Sequence, residues 1–192
     1  MTLEAEDPRV VRNRRAVHRA ALELLGREGV SGLSVDRLAE VSGVSRSTIY
    51  RHWSDLPTLI VAAFDEAVHD RPDRPEPTGD LTVDLLAYLR DYAARLNDPT
   101  YAAVTIAILE WSWRDPEFAA TRARTFDDSR SRAAVLLRAA KANGEIGAGV
   151  DVPQGVEDLV APFLYRRLVL RRTISERDVR TLHERLLGSW SA

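Results

Sequence analysis

The sequence predicts an all-α fold of about nine helices, a small N-terminal three-helix region followed by a larger helical one. Three observations carry this. Apolar residues recur three and four apart along most of the chain, and no run alternates with the period of a strand. Helix punctuation is dense: the pairs Asp98-Pro99 and Asp115-Pro116 each set an N-cap before the residue that tolerates a missing amide donor, while Gly29, Gly43 and Asn143-Gly144 follow the last periodic positions. Finally, residues 34–53 read as two short helices meeting at a tight corner.

In order along the chain, residues 1–8 read as a disordered leader closed by Asp7-Pro8. The spacing of Val17, Ala20, Ala21, Leu24 and Leu25 predicts a helix over about 9–28, stopped by Gly29. Ser34 is an N-cap for a short helix whose Leu38, Ala39 and Val41 can turn inward. Gly43 supplies a left-handed exit, and Ser45 caps a second helix over about 46–52. Ile49 and Trp53, four apart, anchor that helix from behind.

Asp55 caps the next helix, with Pro57 in its first turn and Leu59, Ile60, Ala63, Phe64, Ala67 and Val68 at helical spacing. Pro72, Pro75, Pro77 and Gly79 then mark a loop, so the expected organisation is a head over 1–54, a connector over 55–79 and a C-terminal helical domain over 80–192. Within that last part, Leu81, Leu85, Leu89, Tyr92 and Leu96 belong to one helix, Tyr101, Val104, Ile108 and Trp111 to a second, and Phe118, Phe126, Ala133, Leu137 and Ala140 to a third. Ser175 and Asp178 form a capping box for a final helix through Val179, Leu182, Leu186, Leu187 and Trp190.

Composition excludes several classes. With 192 residues, 45% of them hydrophobic, the chain can bury a sizeable core. It has no Cys, which rules out disulfides and thiolate metal sites and suits a reducing cytoplasm, the expected location. The N-terminus is polar and acidic up to Asp7, so no signal peptide is expected, and the longest near-apolar run, 102–109, is under half a bilayer span, so no membrane partner is expected. An enzyme is not expected either: His18, His52, His69 and His183 are dispersed, adjacent Asp127 and Asp128 point apart on a helix, and no glycine-rich phosphate loop or cofactor motif occurs.

The corner at 34–53 carries the chemistry. Major-groove reading uses the first turn of the second helix, where short side chains reach base edges. Ser45, Arg46 and Ser47 occupy that turn; Arg46 can fork onto the O6 and N7 acceptors of guanine. The Thr48 and Tyr50 hydroxyls, with His52, suit phosphate oxygens, contacts that set register, and Ser34 and Arg51 complete the candidate DNA-binding set. The net charge is only −2, but Arg9, Arg12, Arg14, Arg15 and Arg19 lie together with no acid among them, and phosphate attraction is local, screened beyond about 10 Å at ordinary salt.

Leu38-Ala39, the Gly43-Val44-Ser45 turn and the run Ser47-Thr48-Ile49-Tyr50-Arg51-His52-Trp53 together resemble the DNA-binding domain of the TetR (tetracycline-repressor-like) regulators, over about 12–59. Members often carry a Lys at the start of the fourth helix, where this chain has Leu56-Pro57, so that phosphate contact is not expected here. The resemblance implies a homodimer whose final two helices pair with their symmetry mates. Val156, Val160, Phe163, Leu164, Leu168, Leu182 and Leu186 occupy more than one face of those helices and suit such a seam.

Paired heads about one DNA turn apart imply an inverted-repeat operator on double-stranded DNA. A small-molecule effector is expected in the C-terminal domain, with Tyr88, Tyr92, Trp111, Trp113 and Phe126 as candidate lining. The expected function is thus a ligand-responsive repressor; the alternative is a helical ligand-binding or scaffold protein that has lost DNA binding.

Overall fold

The computed structural model describes residues 7–69 and 77–190, the side chains of 68–69, 117 and 119–130 excepted. Of the leader expected over 1–8, residues 1–6 lie outside these residues, as do the loop prolines Pro72 and Pro75, whereas Asp7 and Pro8 belong to the start of the first helix. Among the described residues are nine α-helices and no strand: α1 (Pro8–Glu28), α2 (Val35–Ser42), α3 (Arg46–His52), α4 (Leu56–His69), α5 (Leu81–Asn97), α6 (Pro99–Arg114), α7 (Pro116–Ala142), α8 (Val152–Leu164) and α9 (Glu176–Trp190). They form two compact units, Met1–Pro72 with Ala103–Arg122, and Asp73–Ala102 with Ala123–Ala192.

In the first unit, local chemistry sets the helix ends. The Asp7 carboxylate accepts from the Arg9 amide at 2.8 Å, with Pro8 at the first helical position, and opens α1. Ser34 accepts from the Arg37 amide at 3.2 Å and opens α2. Gly43, at φ 70°, turns its amide back to the Ala39 carbonyl and closes α2 in the left-handed region that side chains disfavour. Asp55 accepts from the Thr58 amide at 2.7 Å in the first turn of α4.

Packing then assembles these pieces. The five-residue stripe of α1 is buried, together with Leu38, Val44, Ile49 and Trp53 from the corner and Leu59, Ile60, Ala63 and Phe64 from α4. Val41 does not turn inward as expected; it is 42% exposed. A residue three on from Leu38 sits about 60° round the helix, and on a helix of two turns the buried stripe is too narrow to include it. Val44, in the turn, fills that side of the core instead.

One polar contact ties α1 to α4. His18, buried, shares a short hydrogen bond with Glu66, whose other oxygen lies 3.4 Å from Arg15. Burial lowers the His18 pKa below 6.5 and Arg14 adds to this, while the Glu66 carboxylate opposes it. The native state therefore holds His18 neutral, with Nδ1–H donating to Glu66. Its contribution to stability is complete above about pH 6.5 and is lost progressively as pH falls from there towards the lowered native value. The melting temperature of the first unit is expected to drop on acidification below pH 6.5, and His18→Gln is expected to flatten that part of the profile; an unchanged profile in the variant would place the titration elsewhere.

The second unit is a helical cluster built on α5, which packs against α8 and α9. Leu85, Leu89, Leu96, Leu137 and Leu159 are fully buried within it. Asn97 fastens the α9 approach to the end of α5: its amide donates to the Ile174 carbonyl and its oxygen accepts from the Ile174 N–H, each at 2.9 Å. Gly155 is closely packed: a Cβ there would meet Leu137 Cδ1 at 2.9 Å and force that side chain to shift, with the Trp190 ring beyond. Ser175 and Asp178 make the expected capping box, Asp178 accepting from the Ser175 amide at 2.9 Å and Ser175 from the Asp178 amide at 3.3 Å.

The segment 153–172 differs from the single helix its apolar content suggests. α8 ends at Leu164 and is continued by one π turn, Tyr165–Val169, after which Arg171 takes φ 54°. Of the expected pairing seam, Val156, Phe163, Leu182 and Leu186 are corrected: they are buried inside the protomer, because the other helices of the same unit cover that face. Val160, Leu164 and Leu168 stay half-buried, and Tyr165, Val169 and Leu170, which periodicity did not single out as a group, are exposed beside them.

Candidate nucleic-acid interface

α3 is seven residues long, too short to hold its shape by backbone hydrogen bonds alone. Its position is set from behind, by buried Ile49 and by Trp53 at its C-terminal end, whose ring lies 5.3 Å from His18 and 5.7 Å from His52. What remains outward is the set expected to read DNA: Ser45, Arg46, Ser47, Tyr50, Arg51 and His52 are exposed and Thr48 is half-buried.

The first turn is preorganised around one oxygen. The Ser45 hydroxyl accepts from the Thr48 amide at 3.3 Å and pairs with the Ser47 and Thr48 hydroxyls at 3.1 and 2.9 Å. Three hydroxyls and the open amides of a helix start thus face solvent together, an arrangement that accepts and donates to base edges and phosphate oxygens alike. Ser34 stands differently. Its oxygen is engaged as the α2 cap and the residue is half-buried, so any phosphate contact there competes with Arg37 N–H.

The arrangement of charge around the corner was only partly visible in the sequence. Arg46 Nε lies 2.7 Å from Asp36 Oδ1, an ion pair between two exposed side chains in the first turns of α2 and α3. Sequence reasoning missed Asp36, since nothing in the spacing joins positions ten apart across a turn. Arg37 is held between Glu28 and Glu40, at 3.0 and 2.8 Å, and is thereby occupied. On α1, Arg9, Arg12 and Arg19 are exposed and make no ion pair among the described residues, whereas Arg15 faces Glu66. Leu56 is half-buried at the start of α4, and no cation stands at that position.

The expected ligand-lining set separates. Tyr88 borders a cavity of about 380 Å³ in the second unit, and burial pushes its hydroxyl up to about 12. Tyr92 is core, its ring 6.2 Å from Tyr88 and 6.4 Å from Phe163. Trp111 packs edge-on against Phe118 at 6.0 Å in the first unit, Trp113 is 88% exposed, and the Phe126 side chain lies outside the described residues. The cavity's other wall, from the C-terminal half of α7, carried no aromatic residue and so gave no signal in the sequence. Among the described residues no helix is long and apolar enough to cross a membrane.

Known proteins resemble this chain over most of its length. The family model for bacterial regulatory proteins of the tetR family matches residues 18–62, and that for the tetracyclin repressor-like C-terminal domain matches 75–186. The DNA-binding transcriptional repressor TetR of Mycobacteroides abscessus is 34% identical over 153 residues, covering 78% of each chain. The HTH-type transcriptional regulator YdeS of Bacillus subtilis is 27% identical over 175 residues, covering 91% of this chain and 88% of its own. Among solved structures, the TetR family transcription regulator SCO0332 superposes with a TM-score of 0.73 at 30% identity, covering 94% of this chain and 99% of that one. Regulators of this kind are generally not enzymes. A head whose recognition helix turns its hydroxyls and arginines outward, joined to a domain matched over most of its length, makes this chain a member of the TetR family of DNA-binding transcriptional regulators.

Proposed function

We propose that the chain is a ligand-responsive repressor that binds an inverted-repeat operator as a homodimer. In this reading 1–54 reads DNA, 55–79 connects, and 80–192 holds effector and dimer surfaces. The observation that carries it is the exposed first turn of α3, with the Ser45 hydroxyl cluster and Arg46, anchored from behind by Ile49 and Trp53. That surface disfavours the scaffold alternative, which gives no reason to keep hydroxyls and an arginine outward on so short a helix. The repressor named in Mycobacteroides abscessus supports the sign of regulation.

Dimerisation is supported by the apolar surface left on the second unit. Val160, Leu164 and Leu168, half-buried, adjoin exposed Tyr165, Val169 and Leu170, and a twofold contact there would bury them against their own copies. A twofold dimer presents two heads, and two recognition helices enter successive major grooves only at about one helical turn of separation. An effector in the second unit that prefers a state with the heads misplaced lowers operator affinity by the difference in its affinity for the two states, commonly about 1–3 kcal/mol.

Selection from a random DNA pool by the purified protein tests this directly. Enrichment of an inverted repeat is expected; recovery of unrelated fragments, or of single half-sites at equal affinity, would defeat the proposal. On the selected site, Arg46→Ala is expected to cost about 1–3 kcal/mol and relax one base pair per half-site, whereas Tyr50→Phe should weaken all sequences alike. Asp36→Asn frees Arg46 and removes an acid from the reading surface, so it should tighten binding to selected and unrelated DNA together. Equal loss of discrimination from the Arg46 and Tyr50 variants would reverse the roles given to them.

A further inference from the structure

We infer that the cavity of the second unit is built for a small amphiphilic acid, its anionic head on the Arg132 guanidinium and its apolar body along Val135, Leu136 and Ala139. The inference rests on the reading of this chain as an effector-responsive regulator and supplies the chemistry of that effector. At about 380 Å³ the cavity falls within the size range of small-molecule sites, roughly 300–1,000 Å³. α5 forms one wall and α7 the other, and the stretch from Pro77 to Gly79 borders the opening.

The polar groups on these walls are not equivalent. Asp84 is fully engaged: one oxygen accepts from the Thr78 amide and hydroxyl, each at 2.8 Å, and the other from the Gly79 amide at 3.0 Å, which pins the Pro77–Gly79 border to α5. Asp91 is answered by Arg95, one turn further along α5, at 3.2 Å. Tyr88 keeps its proton at neutral pH, because burial pushes it up to about 12, so it adds no negative charge. Arg132 Nη1 is buried and has no hydrogen-bond partner among the described residues; Asp91 Oδ2 is likewise without a hydrogen bond, but its charge is answered by the Arg95 ion pair.

A buried guanidinium donor without an acceptor is a costly arrangement, and an anion entering the cavity supplies a charge-assisted partner for it. The carboxylates oppose this little, since Asp84 is hydrogen-bonded within its own wall and the charge of Asp91 is offset by Arg95. The body of the ligand follows from the next turns of α7. Val135, 59% exposed at the rim, and Leu136 and Ala139 continue from Arg132 at helical spacing and offer an apolar track with no further charge. An acid with a short aliphatic body satisfies both features; a cation satisfies neither.

The test uses the full chain with three probes of equal length, octanoate, octan-1-ol and octylamine, titrated calorimetrically. Octanoate is expected to bind at least tenfold more tightly than either control, and Arg132→Gln to remove that preference while leaving the weak octan-1-ol response unchanged. Val135→Asp, at an exposed position that spares the fold, should also weaken octanoate selectively by placing a like charge on the rim. Equal binding of octan-1-ol, tighter binding of octylamine, or octanoate affinity unmoved by both substitutions overturns the inference. The same probes are added to the complex with selected DNA. Octylamine releasing DNA while octanoate does not would sink the acid and leave the effector reading standing; octanoate bound through Arg132 with DNA affinity untouched would uphold the site chemistry and sink the effector reading.

Discussion

Trp53→Ala is expected to destabilise the first unit by about 3–5 kcal/mol and to abolish specific DNA binding. The side chain is buried at the C-terminal end of α3, against His18 of α1, so its removal opens a cavity where α3 meets α1. A two-turn helix cannot reposition itself around such a gap, because its own hydrogen bonds are too few to define it. Ile49 would be left as the one buried anchor on α3 itself. Hydrogen exchange separates this local effect from global failure: amides of α2 and α3 should lose protection while those of α5 and α9 keep theirs. Trp53→Phe, retaining an aromatic ring in the same space, should recover most of both stability and binding. If the alanine variant melts like the parent and still discriminates its operator, the anchoring role assigned to Trp53 is wrong.

The same short helix shows which parts of the molecule were legible in the sequence. Ser34, Ser45 and Asp55 cap the helices they were expected to cap, and Gly43 takes its left-handed turn, because each depends on chemistry within three or four residues. The α1 stripe was legible for a similar reason: one long helix packing one face onto one core leaves a clean period. Val41 was misread because a two-turn helix gives the period too few repeats to fix which face is inward. The pairing of Arg46 with Asp36 and of His18 with Glu66 was hidden, since each joins residues that only the folded chain brings together.

The apolar C-terminal helices show a different limit. Residues on more than one face of 153–190 announced more burial than a single contact supplies, but not which helix covers which face. Other helices of the same unit cover Val156, Phe163, Leu182 and Leu186, so the apolar surface left exposed lies at the π turn and Leu170. An aromatic residue is equally ambiguous: Tyr92 and Trp113 look alike in sequence, yet one is core and the other is largely in water. Of the cavity only Tyr88 was signalled, because its second wall is an arginine and small aliphatic residues on α7.

Salt gives the second large expected effect. Each head offers Arg9, Arg12 and Arg19 on α1 and Arg51 on α3 to the phosphate backbone, so a dimer is expected to neutralise about six to ten phosphates. Release of that many counterions predicts a loss of about 10³–10⁵ in operator affinity between roughly 50 and 200 mM salt, linear in the logarithm of salt concentration. Arg12→Ala removes one phosphate contact per head and should lower the slope by about two for the dimer. Val169→Asp probes the other half of the geometry. The residue is exposed in the protomer, so the fold should survive, but a charge on the pairing surface should yield monomers. A lone head touches half the phosphates and should bind with about half the salt slope and no preference for an inverted repeat. A slope that Val169→Asp leaves intact would mean that one protomer makes all the contacts, and the twofold arrangement would have to be abandoned.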